Sequence, residues 1–461
     1  MQPVTWRLRS RPRVRLRPRL GPLKRRIFSL ALPAVVEQIC HMSLGIMDTK
    51  LVASLGRAAV AAVGIGDQLM QFTIVAFAAF NIGTTAVVAR AWGANQERDA
   101  AAAARQALLA VTAVGTVLAA AGHWLAHPGV ALMGAAGDTL PLAGSYLKTV
   151  ALSVPAMGVL MVCTASMRGA GDTRTPLYIT LGMNAIHLLF SYILIFGRLG
   201  LPALGILGAA TSAIIARWLG ASVALVLLVR GHSRLRLYRL WATRPDPVVI
   251  RRIMRVGVPA AMEQLVMRFG QMSYFRIVAS LGTASLAAHR LAIQAESLSY
   301  SPGMGFGVAA TTLVGQGLGA RKPKFAEASA YQTFRLACLL MGGMGLAFVL
   351  WPAAICRFFI DDPEVVALGA SVLRIVGLAQ PGLALSMVAA GALRGAGDTR
   401  WTLVITMFGI WLIRVPLAYF LVLRLDWGLV GAWIAMSTDL WIRGLSMLGR
   451  FQSGGWKKVA V

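Results

Sequence analysis

Arg168-Gly-Ala-Gly-Asp-Thr-Arg174 returns, residue for residue, as Arg394-Gly-Ala-Gly-Asp-Thr-Arg400, 226 positions later. Sliding the whole chain over itself by 226 aligns much more than this phrase. Pro33-Ala-Val-Val-Glu-Gln38 falls on Pro259-Ala-Ala-Met-Glu-Gln264, and Val52-Ala-Ser-Leu-Gly56 falls on Val278-Ala-Ser-Leu-Gly282. Lys50 lands on Arg276, Gln68 on Gln294, Thr85 on Thr311 and Gly93 on Gly319. The chain is two copies of one unit in tandem.

What the unit is follows from composition. Of 461 residues, 57% are hydrophobic and 13% are charged, against roughly a quarter charged in a soluble domain. Apolar runs long enough to cross a bilayer, about 20 residues each, fall near 27–54, 59–89, 101–126, 140–166, 175–197 and 204–229 in the first copy. In the second they fall near 253–280, 284–314, 327–355, 365–392, 401–423 and 428–448. The expected fold class is an all-α polytopic membrane protein with twelve transmembrane helices in two six-helix lobes. Six is even, so both lobes cross the membrane in the same sense, related by an axis along its normal. Parallel repeats of this kind are a transporter architecture, with the site near the midplane between halves that rock.

The expected division is a basic, disordered tail over 1–26, a first lobe over 27–230, a basic linker over 231–252, a second lobe over 253–449 and a terminal tail over 450–461. Arg7, Arg9, Arg11, Arg13, Arg15, Arg17 and Arg19 crowd the first segment, and Arg230, Arg234, Arg236, Arg239, Arg244, Arg251 and Arg252 join the lobes. Loops on the other side carry single arginines such as Arg57 and Arg198. Basic loops stay in the cytoplasm, so both termini are expected there, in a bacterial cytoplasmic membrane, beside anionic lipid. The net charge of +28 thus reads as topology rather than nucleic-acid binding. No small-residue cleavage site follows the tail, so it is not read as a secretory signal.

Cys40, Cys163, Cys338 and Cys356 are dispersed, with no C-x-x-C pair, so neither a disulfide framework nor a zinc site is indicated. No phosphate-binding glycine loop, H-E-x-x-H or G-x-S-x-G occurs, which argues against an ATPase or an intramembrane enzyme. No cofactor is expected.

Ionisable groups inside a span are costly and mark function by default. On the first helix Glu37, His41 and Asp48 are spaced four and seven apart, which at about 100° per residue puts them on one face. On the fifth, Asn184, His187 and Ser191 share a face; on the second, Asp67 and Gln71 do so. The second copy keeps Glu263 at the place of Glu37 but has Tyr274 at the place of Asp48 and Met267 at that of His41. It adds His289, Glu296 and Tyr300 along the eighth helix. An acid present in one copy breaks the symmetry, so Asp48 leads the cation-coupling set of Glu37, His41, Asp48, Asn184, His187 and Ser191. Asp67, Gln71, Glu263, Tyr274, Glu296 and Tyr300 form the substrate or gating set. Arg168, Asp172, Arg394 and Asp398 belong to Gly-rich turns that suit tight, capped hairpins.

The doubled R-G-A-G-D-T-R, the early Ile46-Met-Asp-Thr with Val52-Ala-Ser-Leu-Gly56, and Glu296-Ser-Leu-Ser-Tyr-Ser-Pro-Gly-Met-Gly-Phe-Gly-Val-Ala-Ala-Thr-Thr-Leu-Val-Gly-Gln316 resemble the MATE (multidrug and toxic compound extrusion) transporters. Asp439-Leu-Trp-Ile-Arg-Gly444 and the closing Ser453-Gly-Gly-Trp-Lys457 resemble its DinF-like branch. The resemblance covers nearly everything after residue 27. It implies a twelve-helix, two-lobe antiporter that expels amphipathic, often cationic organic compounds in exchange for protons or sodium ions, one chain supplying the whole cavity as a monomer. Asp48 falls on the family's first-helix aspartate. His187 and Ser191 stand where relatives often place an Asn and a further Asn or carboxylate, and a hard cation wants several oxygen ligands, so protons are the expected coupling ion and sodium the alternative. A rival within the wider superfamily is a lipid-linked oligosaccharide flippase, for which Arg268, Arg290 and Arg414 would build a basic cavity.

Overall fold

A computed structural model of the chain describes residues 20–238 and 244–459. Twelve long helices cross it in chain order. In the first lobe they are α1 (Leu20–Ala53), α2 (Arg57–Gly93), α3 (Glu97–Trp124), α4 (Thr139–Gly169), α5 (Arg174–Phe196) and α6 (Ile206–Arg230). In the second they are α7 (Pro247–Ala279), α8 (Thr283–Gly319), α9 (Pro323–Leu350), α10 (Pro363–Ala396), α11 (Thr399–Arg424) and α12 (Gly428–Gln452). Short helices Ala126–Leu132 and Pro352–Arg357 sit at matching places before α4 and α10. Nine of the twelve are long and apolar enough to cross a membrane by themselves among the described residues. The three that are not, α7, α8 and α12, belong to the second lobe and carry its buried polar groups, described below.

The repeat is written into the backbone. Gly56 and Gly282, Gly171 and Gly397, and Asn95 and Arg321 all have positive φ, each pair 226 apart. Gly171 and Gly397 both stand at +84°, where any residue with a Cβ is strained. Glycine is thus required at this point of each R-G-A-G-D-T-R hairpin. After it the copies diverge. Asp172 accepts from the Thr175 amide at 3.1 Å and its hydroxyl at 2.7 Å, capping α5. Asp398 accepts instead from Nε of Arg450, at 2.9 Å, tying α11 to the end of α12.

The lobes exchange their leading helix ends. Leu23, Ile27, Leu30 and Ala31 of α1 are buried in the core of the second lobe. Ile253 of α7 is buried in the core of the first. Small residues allow this approach. A Cβ on Gly257 would lie 1.9 Å from the Ala79 carbonyl, and one on Gly305 would lie 2.7 Å from the Ala31 carbonyl. These are the same contact seen from the two lobes, since Ala31 matches Gly257 and Ala79 matches Gly305. At the far ends of α2 and α8, Gly319 abuts the Arg90 carbonyl and Gly93 the Gln316 carbonyl. Gln316 donates to the Gly169 carbonyl at 3.0 Å, and Thr312 to that of Arg168 at 3.0 Å. The lobes are therefore sealed at the face that carries the basic linker. Towards the opposite face they part, leaving a hollow of about 430 Å³ between α1 and α8, bordered by Met42, Gly45, Ile46, Thr49, Lys50 and Gln294.

Three boundaries differ from expectation. The tail expected over 1–26 is helical from Leu20, because the stripe of Leu23, Ile27 and Leu30 docks on the second lobe. It carries Arg26 with it, which donates to Gln316 at 2.8 Å; the arginines from Arg7 to Arg19 lie outside the described residues. The linker expected over 231–252 ends early, since Asp246 caps α7 by accepting from the Val248 amide at 2.9 Å; residues 239–243 lie outside the described residues. The closing segment is packed as well: Trp456 is fully buried and stacks on Phe451 at 4.5 Å.

Candidate functional site

In the first lobe α1 and α5 lie side by side, and the predicted stripe on α1 turns towards α5. Both carboxylate oxygens of Asp48 lie 2.9 Å from Nε2 of His187. The His187 side chain is 10% exposed and that of Asp48 is 36% exposed, so the acid reaches open space and its partner does not. Behind the imidazole, Ser191 is 3.5 Å away and shares a 2.6 Å hydrogen bond with Ser212 of α6. One turn earlier, Asn184 donates to the Cys40 carbonyl at 3.1 Å, pinning α5 to α1, and its own carbonyl oxygen is buried without a partner.

Glu37 and Glu263 do something else. Glu37 accepts from Arg168 at 2.6 Å and from Thr180 at 3.2 Å. Glu263 accepts from Arg394 at 2.9 Å, Thr402 at 2.9 Å and Thr406 at 3.2 Å. The first arginine of the repeated phrase thus sits, in each lobe, on the repeated glutamate, locking the hairpin to the first helix of that lobe. His41 is exposed. Asp67 and Gln71 diverge, although both lie on one side of α2. Asp67 accepts from the Tyr146 hydroxyl at 3.3 Å within the first lobe, whereas Gln71 accepts from Arg268 at 2.6 Å across the gap.

The second lobe holds a cluster that sequence reasoning passed over. Arg414 of α11 and Arg443 of α12 both bind Asp439 of α12, at 2.7 and 2.9 Å. Asp439 is fully buried and each arginine is 7% exposed. The signal was available: Asp439 and Arg443 are four residues apart in an apolar run, which puts them on one helix face. Arg414 reaches them because α11 is wound more loosely over Gly409–Arg414, a π turn, which inserts one residue into the helix. Next to Arg414 lie Tyr274, with the guanidinium 5.9 Å from its ring centre, and then His289 and Trp433 at ring separations of 5.9 and 5.5 Å. Glu296 of α8 is half-buried and Tyr300 exposed. In the first lobe, Arg217 was likewise missed; it donates to Ser153 at 2.7 Å.

The geometry therefore sets a partly exposed carboxylate against a buried imidazole in the first lobe, while the matching place in the second lobe holds Tyr274. The family model described as MatE matches residues 33–193 and 259–420, one match for each repeat. A probable multidrug resistance protein NorM from Thermotoga maritima is 32% identical over 443 residues, covering 95% of this chain and 94% of that protein. The multidrug resistance protein PmpM of Pseudomonas aeruginosa is 28% identical, over 87% of this chain and 84% of that one. Among solved structures, an outward-facing MATE family transporter superposes with a TM-score of 0.87 at 20% identity, over 95% of this chain and 97% of that one. A MOP superfamily transporter from Pyrococcus furiosus gives 0.86 at 21% identity, over 95% and 97%. With the family model matching both repeats and relatives aligned along nearly the whole chain, this protein belongs to the MATE family of multi-pass membrane efflux transporters.

Proposed function

We propose that this protein exports amphipathic organic cations in exchange for protons, with Asp48 carrying the coupling proton and His187 holding its carboxylate. The observation that carries this reading is the Asp48–His187 pair itself, at 2.9 Å, partly open on the Asp48 side and without an acid at the matching place in the second lobe, where Tyr274 stands. An ionised Asp48 attracts a cationic cargo; a protonated one does not. Proton arrival from the outer side therefore releases cargo outwards, and return to the inward state delivers the proton to the cytoplasm. Both termini and the basic linker belong on the cytoplasmic side by the distribution of arginine and lysine, so the sealed face is inner and the hollow faces out. The prolines in α1 and α7, Pro33 and Pro259, break the helix ladder at matching places and suit the two elements that cross between lobes to bending.

Sodium coupling finds less support, because the His187 nitrogen sits against both oxygens of Asp48 where a hard cation would require oxygen ligands. The flippase reading also loses ground. Arg268 is engaged by Gln71 across the gap, and Arg290 lies 6.0 Å from the Phe275 ring, so the three arginines do not form one basic cavity. The test is ethidium accumulation in sealed vesicles driven by an imposed pH gradient or, separately, by an imposed sodium gradient. Uptake with the pH gradient alone, absent in Asp48→Asn, is expected; uptake that follows sodium alone, or that survives the substitution, overturns the reading.

A further inference from the structure

The repeat offset of 226 is not constant along the chain. Before the loose turn of α11 it holds: Met183 faces Gly220 in the first lobe, and Gly409, its partner at 226, faces Arg443 in the second. After that turn it is 227. Gly208 of α6 packs on Leu194, and Gly431 of α12, which is 223 beyond Gly208 because the loop before α12 is shorter, packs on Leu421, 227 beyond Leu194. The residue 226 beyond His187 is Ile413, but the one 227 beyond it is Arg414. The π turn thus brings Arg414, not Ile413, to the position of His187. Tyr274 already holds the position of Asp48. The two lobes therefore carry the same pair of positions with opposite electrostatic character: a carboxylate on imidazole in one, a phenol beside a guanidinium in the other.

From this juxtaposition we infer that the second lobe holds an anion-accepting counterpart of the Asp48–His187 site, built by Tyr274, Arg414, His289 and Trp433, that takes a carboxylate group of the cargo. All four side chains are buried, at 4%, 7%, 6% and 0% exposure. Each has a polar atom without a hydrogen-bond partner: the Tyr274 hydroxyl, Arg414 Nε, His289 Nδ1 and Trp433 Nε1. Indole and guanidinium N–H groups only donate, and a buried donor without an acceptor is costly, so the set asks for an acceptor. Within the triad two guanidinium groups face the single carboxylate of Asp439, which favours an anionic acceptor over a neutral one. Glu296 is the acid on this wall. It makes no hydrogen bond to Arg414 and is half-buried, so a cargo bearing both an amine and a carboxylate meets a partner for each.

This inference rests on the export reading above, and its test is separable from it. Binding of a rhodamine dye as its free carboxylic acid and as its methyl ester is measured by fluorescence polarisation on the purified full-length protein in detergent. The quantity read is the ratio of the two affinities, in wild type, Tyr274→Phe and Arg414→Lys. Tyr274→Phe removes only a hydroxyl that has no partner, and Arg414→Lys keeps a cation on Asp439 while losing the guanidinium fork. Each is expected to lower the acid-to-ester affinity ratio on the order of tenfold, the worth of a hydrogen bond to a charged group. A ratio unchanged in both variants, or a wild type that prefers the ester, overturns the anion site. Failure of a pH gradient to drive vesicle uptake would instead strike the export reading and leave the binding ratio standing.

Discussion

Asp48 keeps its place inside a span because His187 is there to meet it. A carboxylate in hydrocarbon is tolerated only with a partner or with water, and here the partner is an imidazole at 2.9 Å. Substituting Asp48→Asn keeps the hydrogen-bonding shape but removes the titrating group. Proton-driven uptake is expected to fall at least on the order of a hundredfold, with an unchanged elution profile on size exclusion; substantial residual uptake would remove Asp48 from the mechanism. His187→Asn is expected to move the pH profile of transport by on the order of one unit, read from initial uptake rates across a pH series. An unmoved profile makes the imidazole a packing element. Asp439 answers to stability in the same way. Asp439→Ala leaves two guanidinium groups buried side by side, and breaking a buried pair costs about 3–5 kcal/mol. The expected readout is a markedly lower unfolding temperature, partly restored by pairing the change with Arg443→Met; wild-type stability in the single variant contradicts the buried triad.

Helices are held to one another here by two devices, and each repeats. One is the arginine of the R-G-A-G-D-T-R hairpin on the glutamate of the lobe's first helix, Arg168 on Glu37 and Arg394 on Glu263. The other is the glycine crossing of α2 and α8, where Gly93 and Gly319 each abut a carbonyl of the opposite helix. A methyl group on Gly319 would stand 1.9 Å from the Arg90 carbonyl, well inside any van der Waals contact, so the backbones must separate. Gly319→Val is therefore expected to open the sealed face, exposing the Gly93–Gln316 contact to a protease or thiol probe from that side while the interior of each lobe stays folded. Protection equal to wild type would show that the crossing is not what seals it. Much of this level was legible. Helix number, the repeat, the hairpins and the α1 stripe follow from hydropathy and spacing. The π turn of α11 was not, because no local residue pattern announces an extra residue in a helix, and without it Arg414 is one position away from meaning anything.

At the scale of the molecule the parts combine into two lobes sealed at the basic face and parted at the other. The arrangement predicts different access from the two sides of the membrane. In a background without the native cysteines, Cys introduced at Ile46 or Gln294 is expected to react with a membrane-impermeant maleimide added outside intact cells, and Cys at Gln316 to remain unlabelled. The reverse pattern would turn the whole assignment of sides around. In the proposed cycle the seal would break and the hollow close in turn, with the reciprocal helix ends, α1 in the second lobe and α7 in the first, as the segments to slide.

Composition and the doubled phrase by themselves determined a twelve-helix, two-lobe membrane transporter, since solvation in a bilayer leaves few ways to bury so much apolar chain and an even repeat has one parallel arrangement. They also singled out Asp48, because an uncompensated acid in an apolar run is conspicuous in one dimension. Only the tertiary structure decided which partners those groups take: His187 for Asp48, Arg168 for Glu37, Arg268 for Gln71, and Arg414 with Arg443 for Asp439. Pairing depends on which helices become neighbours and on their rotation to within a fraction of a turn, and in α11 the loosened turn over Gly409–Arg414 changed that rotation at Arg414. Charge is written along the chain, but neutralisation happens across it.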